Sequence, residues 1–529
     1  MKQIIRILGV LDLFGTTVSV LKKNVEGCPD KQFIVAPGVS LTYREYNQKV
    51  NQLANWLAGK GVGKGDNVGL LMFNSIELYV SILAVHKLGA IANLWNFRLR
   101  GREISYLAEH VKAKAIIFSF GFFDNLVINK EIIYLCAGES GEVPTNVHNF
   151  AEIDKSPDSE PAADGPGESD VASVIYTSGT TGYPKGARYT HTTQLWSAIQ
   201  YCLEMGLDRG RRGITAAPVI HGGATNFFIA YLFIGGTFID SGKYTANQVL
   251  QLAVDYKATE LMAVPTQIME MLNLAEQNNL SSDSFSSLRL IRTAGSPYPK
   301  SMVERVHKVF GCYLLNTFGM TENCSNVTTM HSGFDPEESW TTIGKPTYFW
   351  DARVVEINGE SAKSEKQIAA PGRGQLVVKG PQNITEYYLS EKTPQYDDDW
   401  LFARDVVDIN EFGFMQIIDR VDETILSGGE NIYPQEVEMF LKSHPLVADV
   451  AVIGLPDEKW GERVVALIIG KSTELNQGEI ERYCLESDEL ARYKRPRQVV
   501  FVEELSKNVF GKLERYKLKE KYKYLADKM

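Results

Sequence analysis

Hydrophobic and polar positions along this chain fall into two alternating periods. In residues 41–61, LTYREYNQKVNQLANWLAGKG, apolar side chains return every three or four positions and glycine closes the run, which predicts an amphipathic helix. DNVGLLM (66–72) predicts a buried strand, IELYVSILAVHKLG (76–89) a second helix and KAKAIIFS (112–119) another strand. The same alternation returns over 213–315, where ATELMAVPTQIMEMLNLAEQ, LRLIRTAGSP and CYLLNTFGMTE each place a turn at the end of a short apolar strand. Strand ends in open α/β sheets are where ligands collect. Between these regions, EIDKSPDSEPAADGPGESD (152–170) is acidic, rich in Pro, Gly and Ser, and without period, so it predicts an exposed connector.

The texture changes after about residue 420. YPQEVEMFLKSHP (433–445) predicts a helix with Pro near its start, and ADVAVIGL (448–455) and ERVVALIIG (462–470) predict strands. No internal repeat is found. The expected fold is α/β: a large N-terminal domain of α/β subdomains, residues 1–419, and a small mobile α+β C-terminal domain, residues 420–529.

Composition narrows the function classes. A chain of 529 residues with 44% hydrophobic content can build a large core over several subdomains. Lys+Arg 55 against Asp+Glu 65 leaves a formal charge of −10, which argues against nucleic acid or an anionic membrane surface as partner. Cys28, Cys136, Cys202, Cys312, Cys324 and Cys484 form no C-x-x-C pair, a pattern that fits a reducing, cytoplasmic setting better than zinc or disulfides. MKQIIRILGVLDLFG at the start is broken by Arg6 and Asp12, so an amphipathic helix is expected there rather than a signal peptide. The most apolar window, FFIAYLFIGGTFI (227–239), is too short to span a membrane and carries a Gly pair; it predicts a buried helix, a turn and a strand.

The candidate chemistry starts at SVIYTSGTTGYPKGARYTH, Ser173 to His191. Glycines let backbone amides come close to an anion and hydroxyls add donors, so a loop of this make-up can wrap a phosphate. It departs from the familiar phosphate-loop spacing: two residues separate Gly179 from Gly182, and Lys185 follows Pro184. Taken alone, the stretch is equally a surface loop.

Five segments in order decide between these readings. YTSGTTGYPKG, NTFGMTE (316–322), WLFARDVVDINEFGF (400–414), DRVDETILSGGENIYPQEVE (419–438) and NVFGKLER (508–515) together resemble the adenylate-forming superfamily of acyl-CoA synthetases, peptide-synthetase adenylation domains and firefly-type luciferases. The resemblance covers nearly the whole chain. It implies that a carboxylate attacks the α-phosphorus of ATP, pyrophosphate leaves, and a thiol then takes the acyl group from the adenylate. It also implies ATP, Mg2+ and coenzyme A as co-substrates.

By that resemblance, Thr177, Ser178, Gly179, Thr180, Thr181, Gly182 and Lys185 hold the phosphates. Gly295, Ser296, Asn316, Phe318 and Gly319 face the nucleotide, Thr321 reaches a phosphate oxygen, and Glu322 is the magnesium ligand and a catalytic residue. Asp405 accepts the ribose hydroxyls and Arg420 adds a ribose or phosphate contact. Lys512 stands where the family keeps its catalytic lysine, Asp422 at its hinge, and Gly428 and Gly429 on the thiol's entry path. His221, beside the small Gly222, Gly223 and Ala224, resembles a family histidine between acyl pocket and thiol tunnel; a satisfied structural histidine is the competing reading.

Departures from the family pattern are local. FARD stands where many members have Thr-Gly-Asp, and Phe510 precedes Gly511-Lys512 where a Pro-Arg-Thr-like run is common. TAGSP (293–297) is a conservative form of the adenine loop. Amino-acid-activating members carry an aspartate in the acyl-pocket stretch, and none occurs between Asp208 and Asp240, so an apolar acid is expected, a medium- or long-chain fatty acid first and an aryl acid next. With 17 residues after Lys512, free CoA is the expected acceptor. A stand-alone enzyme loading a carrier protein, a luciferase-like oxygenase and a nucleotide-binding pseudo-enzyme stay open. The expected partners are a small-molecule carboxylic acid, ATP and CoA, with no nucleic acid and no transmembrane segment; a homodimer is left open.

Overall fold

The computed structural model describes residues 15–99, 101–138, 147–177, 185–324, 326–357, 363–390, 393–427, 430–457, 459–472, 475–487, 489–507 and 513–526. The helix expected at the N-terminus falls on residues 1–14, outside the described ones. The first described helix, α1 (Thr17–Gly27), starts at a capping box in which the Thr16 and Ser19 side chains each accept from the other's backbone amide. Thr42 and Glu45 open α2 (Tyr43–Gly59) in the same way. Among the described residues no helix is long and apolar enough to cross a membrane.

The chain forms two compact units, Met1–Asp351 with Lys379–Gln395, and Ala352–Val378 with Tyr396–Met529. The expected boundary at 419/420 therefore falls inside the second unit, because strands on both sides of it cluster together.

The first unit is built on two sheets. One has seven strands: Val147–Asn149, Ile133–Ala137, Ala115–Ser119, β1 (Asn67–Leu71), Ile91–Leu94, β2 (Val171–Thr177) and β3 (Lys185–Thr190), all parallel except the last. The other has nine, with a parallel centre that includes Glu260–Met262, β4 (Leu290–Ala294) and β5 (Tyr313–Phe318). Crossover helices cover the sheets, as parallel strands require. The 227–239 window folds as expected: α3 (Gly222–Ile234) ends at Gly235 in the left-handed conformation, and Thr237–Ile239 follows as a strand. Phe227, Phe228 and Tyr231 are fully buried and pack with Phe33, Tyr43, Tyr46 and Tyr79. At about 1.5–3 kcal/mol for each fully buried large apolar side chain, such a helix belongs inside.

In the second unit, Gly372–Lys379, β6 (Trp400–Ile409) and β7 (Met415–Arg420) pair antiparallel. The C-terminal part is a sheet around the hairpin β8 (Val447–Asp457) and β9 (Gly461–Gly470), packed by α4 (Pro434–Lys442) and α5 (Arg515–Tyr522). Pro434 occupies the first turn of α4, where its missing N–H costs nothing.

Candidate functional site

In the first unit, β2 and β3 are the two arms of a hairpin whose last paired residues are Thr177 and Lys185. Ser178, Gly179, Thr180, Thr181 and Gly182 lie between them, outside the described residues. Gly186 is needed on the returning arm: a Cβ there would come within 2.6 Å of Val174 Cγ1. The Lys185 ammonium sits 5.2 Å from the centroid of the Tyr387 ring.

The strands β4 and β5 run parallel, with Thr293 beside Asn316 and Ala294 beside Thr317. Both therefore end at the same edge, which sets the exposed Gly295 and Ser296 next to Phe318 and Gly319. Gly295 takes φ +93°, a conformation that favours glycine. Asn316 is buried and donates through Nδ2 to the Thr342 carbonyl at 2.8 Å.

Beyond Gly319 the chain makes a short 3-10 turn, Thr321–Asn323. Its backbone is gripped from three sides: Tyr189 Oη donates to the Thr321 carbonyl at 2.9 Å, the Ile384 amide to the Glu322 carbonyl at 2.9 Å, and Asn226 Nδ2 to the Cys324 carbonyl at 2.9 Å. The Glu322 carboxylate accepts from Tyr387 Oη at 2.6 Å through Oε1. Thus Tyr387 touches both Lys185 and Glu322, which lie far apart in sequence, with Thr321 next to Glu322. Among the described residues no group of three or more His, Cys, Asp or Glu could hold a metal by itself. One oriented carboxylate suits Mg2+, which keeps several waters and takes substrate phosphates as its remaining ligands.

His221 is the N-cap residue of α3, and its carbonyl accepts from the Thr225 amide at 2.9 Å. Burial first, and the Arg98 cation second, hold its imidazole down to about 4, so it is neutral at pH 7. At the second position of α3, Gly223 faces Met262, Tyr201 and Arg292, and the fully buried Arg292 guanidinium lies 4.2 Å from the Tyr201 ring centroid.

In the second unit, Asp405 on β6 is the cross-strand partner of Arg420 on β7. Arg420 Nη1 lies 3.2 Å from each Asp405 oxygen and donates to the Ala403 carbonyl at 3.0 Å. Arg404 stands at φ +61° and pairs with Asp422. Gly428, Gly429 and Lys512 lie outside the described residues. The residues flanking the lysine segment, Lys507 and Leu513, form an antiparallel bridge, and Arg515 just beyond is buried against Glu438.

Tyr387, Tyr189 and Asn226 carry no motif signal and were not legible in the sequence. Each works by reaching a loop far along the chain.

Comparison with known proteins places this arrangement. The chain belongs to the AMP-binding enzyme family: a family model for AMP-binding enzymes matches residues 21–388, and one for the AMP-binding enzyme C-terminal domain matches 436–512. Within it, the protein is an acid–thiol ligase, an enzyme of the acyl- or aryl-CoA synthetase class. It is 31% identical over 509 residues to the long-chain-fatty-acid–CoA ligase FadD13 of Mycobacterium tuberculosis, covering 95% of this chain and 98% of that protein. It is similar to the anthranilate CoA ligase AuaEII in complex with anthranoyl-AMP, at TM-score 0.84 and 27% identity, over 98% of this chain and 99% of that one. It is also similar to the O-succinylbenzoate coenzyme A synthetase MenE of Bacillus subtilis in complex with ATP and magnesium ion, at TM-score 0.81 and 26% identity, over 94% and 99%.

Proposed function

We infer that this ligase, with ATP, Mg2+ and CoA as co-substrates, activates an acid with an apolar body, a medium- or long-chain fatty acid first. The observation that carries the reading is the largely buried, mostly apolar α3 with no acidic residue between Asp208 and Asp240 to hold a substrate ammonium. The name of FadD13 supports it. A second reading, an aryl acid, is favoured by the Tyr201, Arg292 and Met262 side chains that meet Gly223, and by the substrates named for AuaEII and MenE.

The chain's own groups have separate tasks. The 177–182 loop and Lys185 bind the outer phosphates, and Glu322 holds Mg2+, whose charge offsets that of the phosphates when bound. Asp405 and Arg420 orient the ribose. Lys512 brings an ammonium to the α-phosphate, where negative charge grows as the acid attacks. His221, neutral, borders the acyl group and the incoming thiol, and Gly428 and Gly429 serve the thiol's entry path. Residues 420–529 move as a body about Asp422, so that the lysine serves the first half-reaction and withdraws for the second.

The test is pyrophosphate release with MgATP over a panel of aliphatic, aryl and amino acids, with and without CoA. Release driven by aliphatic acids, with acyl-CoA formed only when CoA is present, is expected. A response confined to aryl acids moves the reading to the second acid class, and adenylate that CoA does not consume overturns CoA as acceptor. Lys512→Ala is expected to lose acid-dependent release while ATP binding persists; unchanged release removes that lysine from the reaction.

A further inference from the structure

The geometry points to Tyr387 as a positioning residue that sets the magnesium carboxylate and the loop lysine of the ATP site with one side chain; it rests on the reading of Glu322 as the magnesium ligand. Tyr387 is 8% exposed and lies in Lys379–Gln395, the segment by which the chain returns to the first unit. Its backbone bridges antiparallel to Ala187, and the Tyr388 amide donates to the Gly186 carbonyl at 2.8 Å. The arm that leaves the phosphate loop is therefore fastened to Tyr387 immediately after Lys185. On its other side, the same segment grips Glu322 twice, through the Ile384 amide on its carbonyl and the Tyr387 hydroxyl on its carboxylate.

The two ends of the side chain act differently. A phenol O–H donating at 2.6 Å to a carboxylate is a short, charge-assisted bond. It fixes the rotation of the Glu322 carboxylate and occupies one lone pair of Oε1, which leaves Oε2 to face an ion. Carboxylates that ligate metals are commonly held this way, and loss of the outer partner typically lowers metal affinity about 10- to 100-fold. The ring, meanwhile, lies within the roughly 6 Å over which an aromatic face attracts an ammonium. Lys185 carries a long flexible stem, and this contact narrows the positions its charge can take. The hydroxyl thus governs the metal and the ring governs the lysine, so the two contributions are separable by substitution.

The experiment measures binding without turnover, by calorimetry of ATP in EDTA and by titration of the ATP-loaded protein with Mg2+. Tyr387→Phe keeps the ring and removes the hydroxyl: ATP affinity in EDTA stays within about twofold, while half-saturation by Mg2+ rises about tenfold. Tyr387→Leu also weakens ATP in EDTA, about threefold, because Lys185 loses its aromatic face. Adding Tyr387→Phe to Glu322→Gln has little further effect, since both act through one carboxylate. A Phe variant with the parent's Mg2+ titration overturns the proposal, as does one that weakens ATP equally with and without Mg2+. Should Glu322→Gln itself leave the titration unchanged, the magnesium reading of Glu322 is what fails. Thermal midpoints of all variants check folding, and the Phe variant decides alone if the Leu variant unfolds.

Discussion

At Arg404 the backbone enters the left-handed region, where a Cβ costs roughly 1–2 kcal/mol, and the guanidinium is held by Asp422 in a partly exposed ion pair of about 0–1 kcal/mol. Many members of the family carry glycine here, and the structure shows why: the position before Asp405 turns through a φ that glycine adopts freely. The arginine keeps that turn at a cost which the ion pair to Asp422 offsets in part. Arg404→Gly relieves the backbone and loses the pair, whereas Arg404→Ala loses the pair and keeps the strain. The glycine variant is expected to be the more stable of the two by about 1 kcal/mol, read from urea midpoints. Equal midpoints would show that the turn relaxes around any side chain. From the sequence, FARD was legible as a departure from the family. Its backbone geometry was not, because a φ depends on how β6 and β7 are paired.

The C-terminal helix α5 has eight residues, too few to persist alone in water. Leu518 and Tyr522 anchor it on the β8–β9 hairpin, and Arg515 at its start is 4% exposed, with Nη2 2.7 Å from Glu438, a further bond to Glu423, and Nε on the Val452 carbonyl at 3.2 Å. Burial pushes the Glu438 carboxyl up to about 7 while Arg515 pulls it down, so the pair depends on both partners. Removing one member of such a buried pair costs about 3–5 kcal/mol. Arg515→Ala is expected to release the helix, seen as much faster chymotryptic cleavage beside Tyr516 and Leu518; unchanged cleavage would place the anchor in the apolar contacts alone. In sequence this arginine is one more charge in KNVFGKLERYKLKEKYKY, indistinguishable from a solvated tail. The Val452 carbonyl it bonds lies 63 residues earlier, and composition carries no trace of that contact.

Across the first unit, a buried polar chain joins α1 to the β2–β3 hairpin: Thr17 Oγ1 lies 2.9 Å from Nδ1 of both His86 and His191, and His86 Nε2 lies 3.1 Å from Ser173 Oγ. Burial holds His191 down to about 4 and lowers His86 as well. Both are neutral when folded and take a proton when unfolded below about pH 6.5, so their stabilisation is present above that pH and is lost as pH falls toward 4. For His191 the loss is on the order of 3 kcal/mol. Asp240, pushed up to about 6 mainly by burial, has the opposite sign and offsets part of it. The clean readout is therefore a difference: the stability gap between the parent and His191→Gln should narrow from pH 7 to pH 4.5, and a constant gap would contradict the assignment. The larger organisation divides along the same physical line. Periodicity and turn residues act over a few positions, so the helices at 43–59 and 434–442, the helix–turn–strand at 222–239, the β8–β9 hairpin and the ordered motifs of the ligase were determined by the sequence itself. Which residues meet across the chain was decided only by tertiary structure: Tyr387 reaches Glu322 from 65 positions away, Arg292 and Arg515 become buried, and strands 396–419 join the C-terminal unit. Those contacts depend on which strands become neighbours, a global choice made by burying the whole apolar surface at once.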